Sequence, residues 1–159
     1  MTDAKPFSTP MSPNDLLGKD EHEGNIDHTL YREMIGLLLY LTTSMLDVMY
    51  SVWLCARFQA NPKETHLKVV KTILRYLRGT NDLCLLYPRG EDLNLIGYTD
   101  VDFAGNLVYW NSTSGMSQFL GPCLVSWGSN KQISVALFTT KDEYISATAC
   151  CSQLQWLKQ

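Results

Sequence analysis

The sequence predicts an α+β fold in which helices come first and a meander of strands, closed by one helix, comes second. Three observations predict it. Residues 30–58 are almost continuously apolar, residues 62–78 repeat apolar side chains every three or four positions, and after Gly79 the apolar period becomes two, punctuated by turn residues. With 159 residues, 45% of them hydrophobic and 18% charged, the chain is long enough for one real core and too short for two generous domains.

Residues 1–28 contain Pro6, Pro10 and Pro13, many polar groups and no periodicity. Such a composition buries too little surface to offset ordering entropy and predicts a disordered linker or tail. The tail is acidic, with two Lys against six Asp or Glu, so the overall charge of -3 conceals a remainder of +1.

The helical part is expected over 29–80. Met34 to Ala56 approaches the ~20 residues of a membrane span. Asp47 near its middle and the run Thr42, Thr43, Ser44 favour two buried helices instead, about 30–43 and 45–58, with Ser44 and Asp47 spelling a capping box for the second. Asn61 and Pro62 mark a break, and a third helix runs from Pro62 or Lys63 through Arg78, with Gly79 as its cap. On this helix Leu67, Val70, Ile73, Leu74 and Leu77 form one stripe, and Lys68, Lys71, Arg75 and Arg78 form another beside it.

Residues 81–159 predict strands at 83–87, 93–103, 117–121, 123–129 and 134–138, then a helix from about Thr140 to the end. Within GYTDVDFAG (97–105), Asp100 and Asp102 lie two apart and so share a face of their strand. They read either as part of a cation site or as an ordinary strand end. In the last helix Glu143, Ala147, Cys150, Leu154 and Leu157 follow one stripe that should face the sheet, which brings Glu143 toward Asp100. Glu143 reads equally as the partner of Thr140 in a capping box. A strand aspartate and a helix glutamate make half of a Mg²⁺ site, because that ion takes a few carboxylates and keeps several waters.

Five cysteines (Cys55, Cys84, Cys123, Cys150, Cys151) with no C-x-x-C spacing argue against a disulfide framework or a zinc site, and predict reduced thiols in an intracellular, cytoplasmic or nuclear, protein. The opening MTDAKPFSTPMSPND has no basic region followed by an apolar stretch, so no secretory signal is read there. The acceptor spelling at Asn111, Ser112 and Thr113 then goes unused.

The motifs YREMIGLLLYLTTSMLDVMYSV (31–52), CARFQANPKETHLKVVKTILRYLRGT (55–80), GYTDVDFAG (97–105), NSTSGMSQFLG (111–121), LVSWGSNKQISVALFTTKDEYISA (124–147) and QLQWLKQ (153–159) resemble, in spelling and order, the end of the polymerase polyprotein of Ty1/copia-type plant retrotransposons. There the reverse transcriptase runs into its ribonuclease H. The resemblance implies that 29–80 are thumb or connection helices and that 81–159 open a truncated ribonuclease H-like fold. It further implies that Asp100 and Glu143 hold Mg²⁺ for cutting the RNA strand of an RNA–DNA hybrid, with Asp102 or Asp142 as weak auxiliaries. The family's third and fourth catalytic acids have no counterpart up to Gln159, which leaves catalysis open. Several positions depart from the family. Tyr109, Trp110 and Asn111 precede the STSG run where charges are usual, and Lys141 and Asp142 replace an alanine-rich approach to Glu143. Met45 and Leu46 replace an Arg-Pro, so the first two helices are expected to run together.

Between Arg57 and Arg78 six Lys or Arg face one acid, Glu64, a local +5. Lys68, Lys71, Arg75 and Arg78 can follow a phosphate backbone, or can form a merely solvated face. The reading is therefore a catalytically incomplete piece of a retroelement reverse transcriptase/ribonuclease H that binds RNA–DNA hybrid or other nucleic acid without sequence preference. One alternative is an interaction module that uses an open sheet edge, Tyr109, Trp110 and 30–58 to meet a protein partner or a second copy. Another is an unrelated enzyme recruited from the scaffold. No membrane partner is expected.

Overall fold

The computed structural model describes residues 5–12, 17–18, 23–90, 93–103, 111–133 and 137–159. The fold is α+β, with four α-helices and a three-stranded antiparallel sheet among the described residues, and the chain divides into two units, Met1–Leu83 and Cys84–Gln159. No described helix is long and apolar enough to cross a membrane.

In the first unit, α1 (His28–Leu41) starts because the Asp27 carboxylate accepts from the Thr29 and Leu30 N–H groups at 2.8 and 3.4 Å. It ends where three consecutive hydroxyls fold back: Thr42, Thr43 and Ser44 donate to the carbonyls of Leu39, Tyr40 and Leu41 at 2.7, 2.8 and 3.2 Å. These bonds satisfy carbonyls that a helix end leaves open, so α1 does not run on into the next helix despite the missing proline. Ser44, thus engaged, caps nothing. A 3₁₀ turn (Leu46–Val48) leads instead into α2 (Met49–Ala56), shorter than the expected 45–58.

Helix α3 (Glu64–Gly79) begins on Lys63 and ends at Thr80. His66, fully buried, organises its first turn. Its Nδ1 accepts from the Lys63 N–H at 2.9 Å, so the proton sits on Nε2, which donates to Gly18 O at 2.9 Å, while the ring stacks on Phe58 with centroids 4.1 Å apart. Tyr31, Ile35 and Leu38 of α1, Val52 and Cys55 of α2, and Val70 and Ile73 of α3 form a continuous apolar core. The Tyr31 hydroxyl donates to Cys55 O at 2.9 Å, and burial pushes its ionisation up. Tyr76 donates to the Asp47 carboxylate, and that hydrogen bond raises its phenol to about 12.

Described residues of the segment expected to be disordered make contacts along α3. Leu17 is buried in the core, Met11 and Ile26 pack against it, and Asn25 forms an isolated antiparallel bridge with Lys63. Glu23 accepts from the Thr65 N–H at 2.9 Å, which places a carboxylate at the positive end of α3, and Lys63 Nζ donates to Asn25 Oδ1 at 2.6 Å.

In the second unit, β1 (Leu95–Asp102), β2 (Thr113–Leu120) and β3 (Cys123–Lys131) pair as an antiparallel meander. Gly121, with φ of 57°, supplies the left-handed residue of the β2–β3 turn. The expected strand 83–87 does not form: Leu83, Leu85, Leu86 and Tyr87 are exposed, and Tyr87 reaches the sheet only through its hydroxyl, which donates to Leu124 O at 2.9 Å. Of the expected strand 134–138, residues 134–136 lie outside the described residues.

Helix α4 (Thr139–Leu157) lies against β1. A side chain at Gly97 would bring a Cβ to 2.7 Å from Cys150 Sγ and 2.9 Å from Leu154 Cδ1, so only glycine admits this approach. Thr99 donates to Gly115 O at 3.0 Å and therefore accepts from the Ser146 hydroxyl.

Candidate functional site

Two regions carry the chemistry read from the sequence, one in each unit. In the second, β1 alternates cleanly: Leu95, Gly97, Thr99 and Val101 are half-buried, while Ile96, Tyr98, Asp100 and Asp102 are exposed. Because Gly97 and Thr99 touch α4, Asp100 and Asp102 project from the opposite face of the strand. Tyr98 shares that open face and meets Phe119 edge-on at 5.7 Å. Asp100 accepts from the Val101 N–H at 2.9 Å.

The helix side departs from the expected stripe by one position. Asp142, Ser146 and Cys150 are the buried residues of α4, whereas Glu143 and Ala147 are exposed. The small side chains of Cys150 and Ser146 fit against Gly97 and Thr99. The capping box is not formed either: the helix starts at Thr139 after Phe138, with no side-chain cap, so Thr140 is already inside it. The structure thus leaves Glu143 in solvent and Asp100 on the face away from α4. No group of three or more His, Cys, Asp or Glu suited to a metal ion occurs among the described residues. The structure therefore does not bring Asp100 and Glu143 together.

The acid that does enter the interior is Asp142. It is fully buried; one carboxylate oxygen accepts from Ser112, and its backbone carbonyl accepts from Gln132 Nε2 at 3.2 Å. Gln132 also donates to Ser114 Oγ at 2.8 Å, and Asn111 Nδ2 donates to Gln132 O at 2.9 Å. The i, i+4, i+8 spacing of Asp142, Ser146 and Cys150 was legible as a small-residue stripe. Nothing in the spelling announced its polar partners on 111–114 and 132. Tyr109 and Trp110, expected at an interaction surface, lie outside the described residues.

In the first unit the basic stripe forms as spaced. Lys68, Lys71 and Arg78 are exposed on α3, on the side away from buried Val69, Val70 and Ile73. Arg75 is half-buried: its Nε donates to Lys5 O at 2.9 Å, and its guanidinium lies 5.1 Å from the centre of the Phe7 ring.

Aligned to known proteins, the chain is 38% identical over 157 residues to the retrovirus-related Pol polyprotein from transposon RE1 of Arabidopsis thaliana, and 39% identical over 166 residues to that from transposon TNT 1-94 of Nicotiana tabacum. These alignments take in 99% and 100% of the chain. A third relative, secreted RxLR effector protein 161 of Plasmopara viticola, is 35% identical over 128 residues, which are 80% of this chain and 90% of that protein. Over nearly its whole length the chain is similar to one stretch of these retrotransposon Pol polyproteins. It spans only 11% and 12% of the length of the two transposon Pol polyproteins. No protein-family profile and no solved structure matches it. Both the basic face of α3 and the acids of β1 and α4 fall inside the stretch aligned with the transposon polyproteins.

Proposed function

We propose that this chain is the stretch of a retroelement Pol polyprotein joining the end of the reverse transcriptase to the start of the ribonuclease H. In this reading it binds RNA–DNA hybrid by charge and shape and does not by itself assemble a catalytic metal centre. The observation that carries the binding is the exposed row Lys68, Lys71 and Arg78 on a helix whose opposite face is anchored in the unit's core. A rigid row of cations neutralises successive phosphates and releases their counterions, and it contains no group that reads base edges.

Titration of a fluorescent RNA–DNA hybrid at two salt concentrations, with and without Mg²⁺, tests it. Three phosphate contacts give a log–log salt slope of about -2.7, so affinity falls on the order of 40-fold between 50 and 200 mM salt. Mg²⁺ causes no cleavage beyond background. Robust Mg²⁺-dependent cleavage that Asp100→Asn abolishes overturns the catalytic half, and salt-independent binding overturns the other.

A second reading, a protein-interaction module, is favoured by the effector relative, nine-tenths of which consists of this same stretch. It is favoured also by Leu37 and Tyr40 of α1, which are 72% and 78% exposed. Size-exclusion chromatography with light scattering separates the two. A mass that doubles with concentration and reverts on Leu37→Ser supports association, and a constant monomer mass counts against self-association.

A further inference from the structure

We propose that residues 5–7 compete inside the molecule for the basic face of α3, holding Arg75 away from a nucleic-acid backbone until a duplex displaces them. This rests on the reading of α3 as a polyanion-binding face.

The segment runs antiparallel to α3. Near the helix C-terminus, Lys5 O accepts from Arg75 Nε, the Phe7 ring lies beside the guanidinium, the Phe7 N–H reaches Arg75 O at 3.4 Å, and Pro6 sits against Gly79. Near the helix N-terminus, Gly18 O meets His66, Glu23 meets the Thr65 N–H, and Asn25 meets Lys63. The two attachments differ in strength. The one near the helix N-terminus includes a buried histidine, a carboxylate on the helix end and Leu17 in the core, whereas the one near the C-terminus consists of a single bond from the Arg75 guanidinium to a carbonyl, a ring and one long hydrogen bond.

Arg75 lies third in the row of four cations, and it alone of the four is half-buried. Neither the carbonyl nor the ring neutralises it. A phosphate offers Arg75 an ion pair and two-point geometry that the Lys5 carbonyl does not. Binding of a hybrid therefore exchanges residues 5–7 for one further phosphate, while the attachment at residues 18–25 stays in place.

The test uses the full chain and two variants that loosen only the weak attachment: Pro6→Gly combined with Phe7→Gly, and Gly79→Ala, whose new Cβ would fall 3.0 Å from Pro6 Cβ and push it aside. Hybrid affinity is measured across salt. Separately, the Arg75 Nε–H resonance is followed by nitrogen-15 NMR, which reads the contact with Lys5 and Phe7 whether or not anything binds. In the unliganded full chain that resonance is shifted by the adjacent ring, and it moves to the free-arginine position in both variants and on addition of hybrid. Both variants bind more tightly at low salt and lose about 3-fold more affinity than the full chain between 50 and 200 mM salt, the share of one extra phosphate. Adding Arg75→Ala to either variant removes that gain. If all chains bind hybrid with the same salt slope, the competition is overturned and the basic face stands. If none binds while the resonance is shifted as expected, the nucleic-acid reading itself is overturned, and the competition with it.

Discussion

The two units of this chain hold together by different means. The first buries Tyr31, Ile35, Leu38, Val52, Val70 and Ile73 against one another across three helices. The second buries Asn111, Ser112, Thr113, Ser114, Gln118, Ser129, Gln132, Asp142 and Ser146, with Leu124 and Cys150 as its only buried apolar side chains among the described residues. Burial of apolar area is non-directional and tolerates small shifts, whereas a buried polar network stabilises only when each member is paired. In the second unit that pairing is unfinished: Asp142 Oδ1, Gln132 Oε1, Ser129 Oγ and both ends of the Gln118 amide find no hydrogen-bond partner among the described residues. The helical unit therefore carries the larger share of stability, and the sheet unit is the more sensitive to single polar changes.

Ile35→Ala, in the centre of the helical core, should cost about 2 to 5 kcal/mol in chemical denaturation, and a cost below 1 would mean that this core is loosely packed. Gly97→Val forces β1 and α4 apart and should destabilise the sheet unit by about 1 to 3 kcal/mol, seen as loss of amide dispersion from 93–133 with residues 28–80 unchanged. Ser112→Ala leaves the second Asp142 oxygen without its donor and should cost about 1 to 3 kcal/mol. Asp142→Asn keeps an oxygen for Ser112 and takes an acid out of a fully buried site whose other oxygen has no hydrogen-bond partner among the described residues, so it should be neutral or stabilising by about 1 kcal/mol. A strongly destabilised Asp142→Asn would show that the carboxylate is fully paired after all.

The smallest effect is alkaline. Tyr76 ionises at about 12 in the folded unit because it donates to Asp47, against the usual 10. A group raised on folding contributes stability that is complete below its unfolded value and is lost as pH rises through the folded one. Stability should therefore decline between pH 10 and about 12, and Tyr76→Phe should make that decline shallower in pH-dependent urea melts.

Much of this was legible. The apolar spacing of Val70, Ile73 and Leu77 gave α3 within two residues, and the switch to period two after Gly79 gave the sheet. Helix ends were less legible, because Thr42, Thr43 and Ser44 can cap a following helix or terminate a preceding one, and only the tertiary path decides between them. The face of α4 was misread by one residue because Glu143 and Ala147 fit a stripe as well as Asp142 and Ser146 do. What selected between them were Thr99 and Ser112 on other segments, which hydrogen-bond Ser146 and Asp142 and which periodicity within the helix cannot register. The segment 1–28 was read from composition alone, which misses the few side chains, Phe7, Leu17 and Glu23, that dock on α3.

The imidazole at position 66 has a consequence for chemical probing. With one nitrogen receiving a main-chain proton, the other delivering its own, and a phenyl ring covering a face, it should resist diethyl pyrocarbonate as long as the first turn of α3 is intact. Acylation there would report the opening of that turn, making this residue a built-in gauge of whether the helical half is folded.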